Sequence, residues 1–263
     1  MVKLVVTDID GTLVAPGGNK LNPEYFDVFQ QLMDKGIHIA LATGRHAVSV
    51  EKTFTPVLDR VWILSQNGAV LCGQGETQLL HPIPNEWLAE FWQDLSRYPE
   101  TDSILDTATE TFCPFPDTPM FHLVTEEYGY NLSATGDWAH IPDKEFSMVT
   151  IYHPEDADRF CQESFYDKWQ GRLNMMCTGQ HWVDCTMPGI CKGAAVRSLC
   201  ARLGIDPSEA IAFGDQINDI SMLEIVGTAY AVENARPETK QAADCVIPGY
   251  TEDGVLQVLK TLL

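Results

Sequence analysis

Two aspartates stand two residues apart near the start of the chain, Asp8 and Asp10, with Gly11 and Thr12 behind them. Two more, Asp215 and Asp219, follow Gly214 late in the chain. In an extended strand, residues two apart point the same way, so Asp8 and Asp10 are expected on one face. Brought beside Asp215, they would gather like charges that raise one another's pKa unless a cation neutralises them. Hard carboxylate oxygens in that number suit Mg2+. Thr43, Gly44, Arg45, Lys192 and Asn218 add hydroxyl, amide, guanidinium and ammonium donors suited to a phosphate, and Gly11 lets backbone approach a ligand closely. Each motif alone has a plain structural reading. Asp-x-Asp-Gly occurs in turns, Thr43-Gly44 and Asn218-Asp219 read as helix caps, and a single lysine is usually a solvated charge. Together, and each at a strand end, they point to phosphoryl transfer.

The strands follow from the apolar runs. Residues 3–9 form a continuous apolar stretch that breaks at Asp10-Gly11, as a buried parallel strand does. A helix is expected from Asn22-Pro23-Glu24 to Gly36, a strand over 37–43, a helix over 44–59 and a strand over 61–65. The rhythm returns after Lys192, with strands over 210–213, 229–232 and 245–247 between helices. The fold class is α/β, an open parallel Rossmann-like sheet whose ligands bind at the carboxyl ends of the strands. Residues 1–79 and 188–263 make this core, and 80–187 are expected to be an inserted α+β block. Within that block, 101–143 reads as irregular, 155–169 as one amphipathic helix, and Trp87 and Trp92 as core.

The 263 residues carry 17 basic and 37 acidic side chains, a formal charge of −20, which disfavours nucleic acid and anionic membrane as partners. No apolar run is long enough to span a bilayer, and the first is too short for a signal peptide. Eight cysteines without a Cys-x-x-Cys pair read as reduced thiols of a cytoplasmic protein. Gly73-x-Gly75 lacks the third glycine of a dinucleotide fingerprint, a P-loop is missing, and the seven histidines show no metal spacing.

At Asp8-Ile9-Asp10-Gly11-Thr12-Leu13, Ala42-Thr43-Gly44-Arg45, Lys192-Gly193 and Gly214-Asp215-Gln216-Ile217-Asn218-Asp219, the sequence resembles the haloacid dehalogenase-like phosphatase superfamily. Ser65-Gln66-Asn67-Gly68-Ala69 looks like the entry to the large α/β cap of its Cof-type branch. The resemblance implies that Asp8 attacks phosphorus and Asp10 is the general acid and base. It also implies Mg2+ on Asp8, the Asp10 carbonyl and Asp215, with Asp219 a further ligand or the orienter of Lys192. Gly11, Thr12, Thr43, Gly44, Arg45, Lys192 and Asn218 would hold the phosphate, Thr43 and Lys192 also serving catalysis. The implied function is Mg2+-dependent hydrolysis of a small phosphate ester, a sugar phosphate or similar. A hexose phosphomutase and a non-catalytic phosphometabolite sensor are the alternatives, the sensor disfavoured because Asp8 and Asp10 are both present.

Overall fold

Leu4–Thr7 form the first strand, β1, with all four side chains buried. Val5 belongs to one apolar cluster and Leu4 and Val6 to another, so both faces of the strand are covered. The computed structural model describes residues 1–127 and 129–263. Helix Glu24–Asp34 follows β1 and buries Tyr25, Val28, Phe29 and Leu32 at helical spacing. Next come β2 (His38–Ala42), helix Ala47–Phe54 and β3 (Trp62–Ser65). The second helix begins later than its sequence suggests because His46 caps it, Nδ1 accepting from the Val48 amide at 3.3 Å. Thr43-Gly44-Arg45 therefore stay outside the helix. Strands β4 (Val70–Gly73) and β5 (Glu76–Leu79) complete this side of the sheet, β4 antiparallel to β3.

The chain divides into two compact units, Met1–Gln78 with Cys191–Leu263, and Leu79–Ile190. Among its described residues the second unit holds six strands: β6 (Asp102–Asp106), β7 (Thr111–Cys113), β8 (Leu132–Ala134), β9 (Met148–Tyr152), β10 (Asn174–Gly179) and β11 (Trp182–Thr186). Their order is β10-β11-β9-β6-β7-β8. Helix Asn85–Leu95 supplies Leu88, Phe91 and Trp92 to the core of this unit, and Trp87 packs at its edge. The expected 155–169 helix is broken at Phe165 into Ala157–Ser164 and Tyr166–Trp169. Phe165 and Trp169 still meet Phe91 edge-on, at 5.4 and 4.9 Å between ring centroids.

Residues 101–143 depart most from their sequence reading, because β6 lies inside the sheet between β9 and β7. Its polar residues hid the strand. Ser103 accepts from Trp92 Nε1 and donates to Thr150 O, while Asp102 accepts from the Thr118 hydroxyl. Burial pushes the Asp102 carboxyl up to about 6 and the Asp106 carboxyl up to about 7. Asp106 Oδ1 has no partner among the described residues. A raised carboxyl pKa means that the folded state keeps protons the unfolded chain has lost, so stability falls as pH rises from about 4 through about 7. The melting temperature is expected to rise on acidification from about pH 8 to pH 5.5. Asp106→Asn should flatten that slope, and an unchanged slope in thermal denaturation would contradict the burial argument.

Helix Lys192–Leu203 returns the chain to the first unit, ended by Gly204 in the left-handed conformation. Strands β12 (Ala210–Gly214), β13 (Thr228–Val232) and β14 (Cys245–Ile247) follow. The sheet runs β14-β13-β12-β1-β2-β3-β4-β5, and β1 pairs in parallel with both β12 and β2. The chain thus leaves β1 in one direction first and fills the other side later. That makes the carboxyl ends of β1 and β12 a topological switch point.

Candidate active site

Asp8 follows β1 directly, Asp215 follows β12, and Thr43 follows β2. Parallel pairing in register, Thr7 opposite both Phe213 and Leu41, delivers the three to one edge. Asp8, Asp215 and Asp219 each bring a carboxylate oxygen within 4.8 Å of the others, and all three are buried. Lys192, 1% exposed, donates to Asp8 Oδ1 and Asp219 Oδ1, each at 2.6 Å. Burial raises the Asp8 carboxyl well above its ordinary range, with Asp219 and Asp215 adding to the rise and Lys192 opposing it. Asp215 is raised by burial and by Asp219. Burial alone would lower the Lys192 ammonium, but Asp219 and Asp8 carry it above its ordinary value.

The four aspartates have different surroundings. Asp219 has both oxygens engaged, Oδ1 by Lys192 and Oδ2 by the amides of Asp215 and Gln216 at 2.8 and 2.9 Å. Asp215 accepts from the Thr12 hydroxyl at 3.0 Å and from Gln216 Nε2 at 2.8 Å. Asp8 Oδ2 is buried with no partner among the described residues. Asp10 departs from expectation, for its side chain lies outside the three-carboxylate group. Arg45 grips it instead, Nε on Oδ2 at 2.6 Å and an Nη on Oδ1 at 2.5 Å, and the Gly17 amide adds a third bond. Strand β1 ends at Thr7, so the alternation that would align Asp10 with Asp8 does not extend through the following turn. Arg45, expected on a phosphate, also reaches Gly18 O and Asn19 Oδ1. Thr12, expected there too, spends its hydroxyl proton on Asp215.

The remaining predicted donors keep protons to give. Thr43 Oγ1 accepts from the Arg45 amide at 3.1 Å, and nothing among the described residues accepts its own proton. Asn218 Nδ2 gives one proton to Asn67 Oδ1 at 3.0 Å. Gly11, at φ 82°, holds a close approach that a side chain would block, since a Cβ would lie 2.4 Å from Asp215 Oδ2. Two supporting residues escaped the sequence reading. Gln216 braces Asp215, and Asn234 Nδ2 holds the Gly11 carbonyl at 2.7 Å. Asn234 lies two residues past β13, at the same sheet edge as the other motifs, and that position was the available signal.

A model of the haloacid dehalogenase-like hydrolase family matches residues 5–259. The chain belongs to that family. This hydrolase is a phosphatase, as are its full-length relatives. It is 24% identical over 262 residues to the 5-amino-6-(5-phospho-D-ribitylamino)uracil phosphatase YbjI of Escherichia coli, covering all of this chain and 96% of the relative. It is 27% identical to the HMP-PP phosphatase of Serratia proteamaculans, over 91% of this chain and 87% of that one. Among solved structures, a chain from Eubacterium rectale superposes with a TM-score of 0.92 at 33% identity, covering 100% of this hydrolase and 99% of that chain. The subclass IIB sugar phosphatase BT4131 shares the fold at a TM-score of 0.83 and 22% identity, over 99% of both chains. Among the described residues of the hydrolase, no helix is long and apolar enough to cross a membrane.

The hydrolase has the donor set for a divalent metal. Three buried carboxylates face one ammonium, and Asp8 Oδ2 has no partner among the described residues. Asp8 and Asp215 are the residues that would hold the ion, with Asp219 fixed behind them on Lys192.

Proposed function

We propose that this chain is a Mg2+-dependent phosphomonoesterase acting on a small phosphorylated metabolite, a sugar phosphate or a similar ester, through a phosphoryl group carried on Asp8. The observation that carries the reading is the buried Asp8 carboxylate, one oxygen held by Lys192 and the other without a partner among the described residues. An Asp8 oxygen forms the bond to phosphorus as the ester P–O bond breaks, and Asp10 gives the leaving oxygen its proton. Asp10 then takes a proton from water as that water attacks phosphorus. The acyl-phosphate bond breaks, and inorganic phosphate leaves. Among the described residues Asp10 Oδ2 accepts a single bond, from Arg45 Nε, and keeps a lone pair to carry this proton. Thr43, Lys192 and Asn218 donate to the phosphoryl oxygens, where charge is held in transfer. Gly11, Thr12 and Gly44 shape the cradle, and Asp219 orients Lys192. Bound Mg2+ supplies charge screening between the incoming phosphate and the carboxylates.

Two of the relatives named above are a 5-amino-6-(5-phospho-D-ribitylamino)uracil phosphatase and an HMP-PP phosphatase, which supports a small phosphorylated metabolite as the substrate class. Release of inorganic phosphate from p-nitrophenyl phosphate and a panel of sugar, nucleotide and cofactor phosphates tests the reading. Turnover is expected with Mg2+, loss in excess EDTA, and recovery when Mg2+ is restored. Mg2+ should also raise the melting temperature, because it binds the folded carboxylates alone. Undiminished turnover in EDTA would remove the metal from the mechanism.

A further inference from the structure

Gln66, Asn67 and Gly68 have φ of 52°, 56° and 95°, three successive residues in the left-handed region. That conformation is disfavoured for residues bearing a Cβ, yet both Gln66 and Asn67 are buried. A buried outlier persists only where its surroundings hold it. Here the turn is held by the segments that carry the three phosphate donors proposed above. The Gln66 amide donates to Arg45 O at 3.1 Å, and the Asn67 amide donates to Thr43 O at 3.0 Å. Gly68 lies against the start of the Lys192–Leu203 helix so closely that a Cβ would sit 2.7 Å from Cys191 O. Asn67 Oδ1 accepts from Asn218 Nδ2 at 3.0 Å.

The Asn218 contact has a chemical direction. Its Nδ2 has one proton on Asn67 and a second left to give, while its buried Oδ1 has no partner among the described residues. Rotated by half a turn, the same carboxamide would present an acceptor where a phosphate needs a donor. The Thr43 hydroxyl and the Lys192 ammonium, with two of its three protons on aspartates, likewise keep one proton each. One turn thus touches all three segments whose donors remain unspent.

We infer that Asn67 is a positioning residue for phosphate: its Oδ1 sets the Asn218 carboxamide with nitrogen toward the ligand, and its amide sets the Thr43 carbonyl. The inference rests on the phosphatase reading and deepens it. The test is a double-mutant cycle of Asn67→Gly and Asn218→Ala, read in kcat/KM for p-nitrophenyl phosphate and in the Kd of inorganic phosphate by calorimetry. Glycine suits the left-handed conformation, so the Asn67→Gly melting temperature should hold or rise. Its kcat/KM and phosphate affinity should each fall on the order of 10- to 100-fold. The double variant should be no worse than Asn218→Ala alone, because Asn67 acts through Asn218. Losses that multiply overturn the inference, as does a lowered melting temperature with phosphate affinity unchanged. Wild-type protein that binds phosphate without turnover defeats the hydrolase reading alone, since the cycle in Kd still decides Asn67. Wild-type protein that binds no phosphate overturns both.

Discussion

Asp8→Asn is expected to lower turnover on the order of 10³-fold or more while the protein folds at least as well as before. The amide has the shape of the carboxylate, and its oxygen can still accept from Lys192, whose Nζ lies 2.6 Å from Asp8 Oδ1. It cannot form the acyl phosphate, so the chemistry fails while the architecture survives. Stability should move the other way. Burial holds the Asp8 carboxyl well above its ordinary range, with Asp219 and Asp215 adding to the effect. A raised carboxyl pKa means that ionisation opposes folding once the pH exceeds the ordinary carboxylate value. Asparagine removes that opposition, so the metal-free variant should melt higher than the metal-free parent at neutral pH. Steady-state kinetics and thermal denaturation on the same samples check both halves. Turnover within tenfold of the parent would exclude Asp8 as the nucleophile.

Lys192→Met should have the largest effect on stability. Lys192 is the buried cation bonded to both Asp8 and Asp219, and methionine keeps much of its length without the charge. Breaking a buried ion pair from one side leaves an uncompensated charge and typically costs about 3–5 kcal/mol. For a unit of this size, that corresponds to a fall in melting temperature of roughly 6 to 20 °C. The pH dependence gives a second check. Asp219 and Asp8 raise the Lys192 ammonium above its ordinary value. Its contribution is therefore fully present below the ordinary lysine pKa and fades only as the pH climbs past the raised one. The deficit in the variant should be constant across neutral pH and narrow only in strong alkali. Mg2+ should restore part of the lost stability by binding the uncompensated carboxylates, without restoring turnover. A melting temperature that does not move on substitution would show that the two carboxylates do not depend on this lysine.

In the first unit, the parallel strands, their order along the chain and the acidic residues that end them were legible in the sequence. Each rests on a local signal. An unbroken apolar run such as Leu4–Thr7 is buried on both faces, and the polar residue that ends it must lie at the sheet's edge. Asp8, Thr43 and Asp215 could therefore be placed together from their positions alone, because parallel pairing brings the ends of β2, β1 and β12 into line. Strand β6 was not legible, because Asp102, Ser103 and Asp106 find their partners or their burial in segments distant along the chain. The same reason limits the reading of the site. Beyond the last residue of a strand, a side chain's direction is set by turn dihedrals and by whichever partner the fold presents. Tertiary structure alone placed Asp10 on Arg45 and Thr12 on Asp215, and it joined Asn67 to Asn218 across 151 residues and Asn234 to Gly11 across 223. Periodicity reports which face of an element a residue occupies, whereas a hydrogen bond between two loops depends on where the whole chain has brought them.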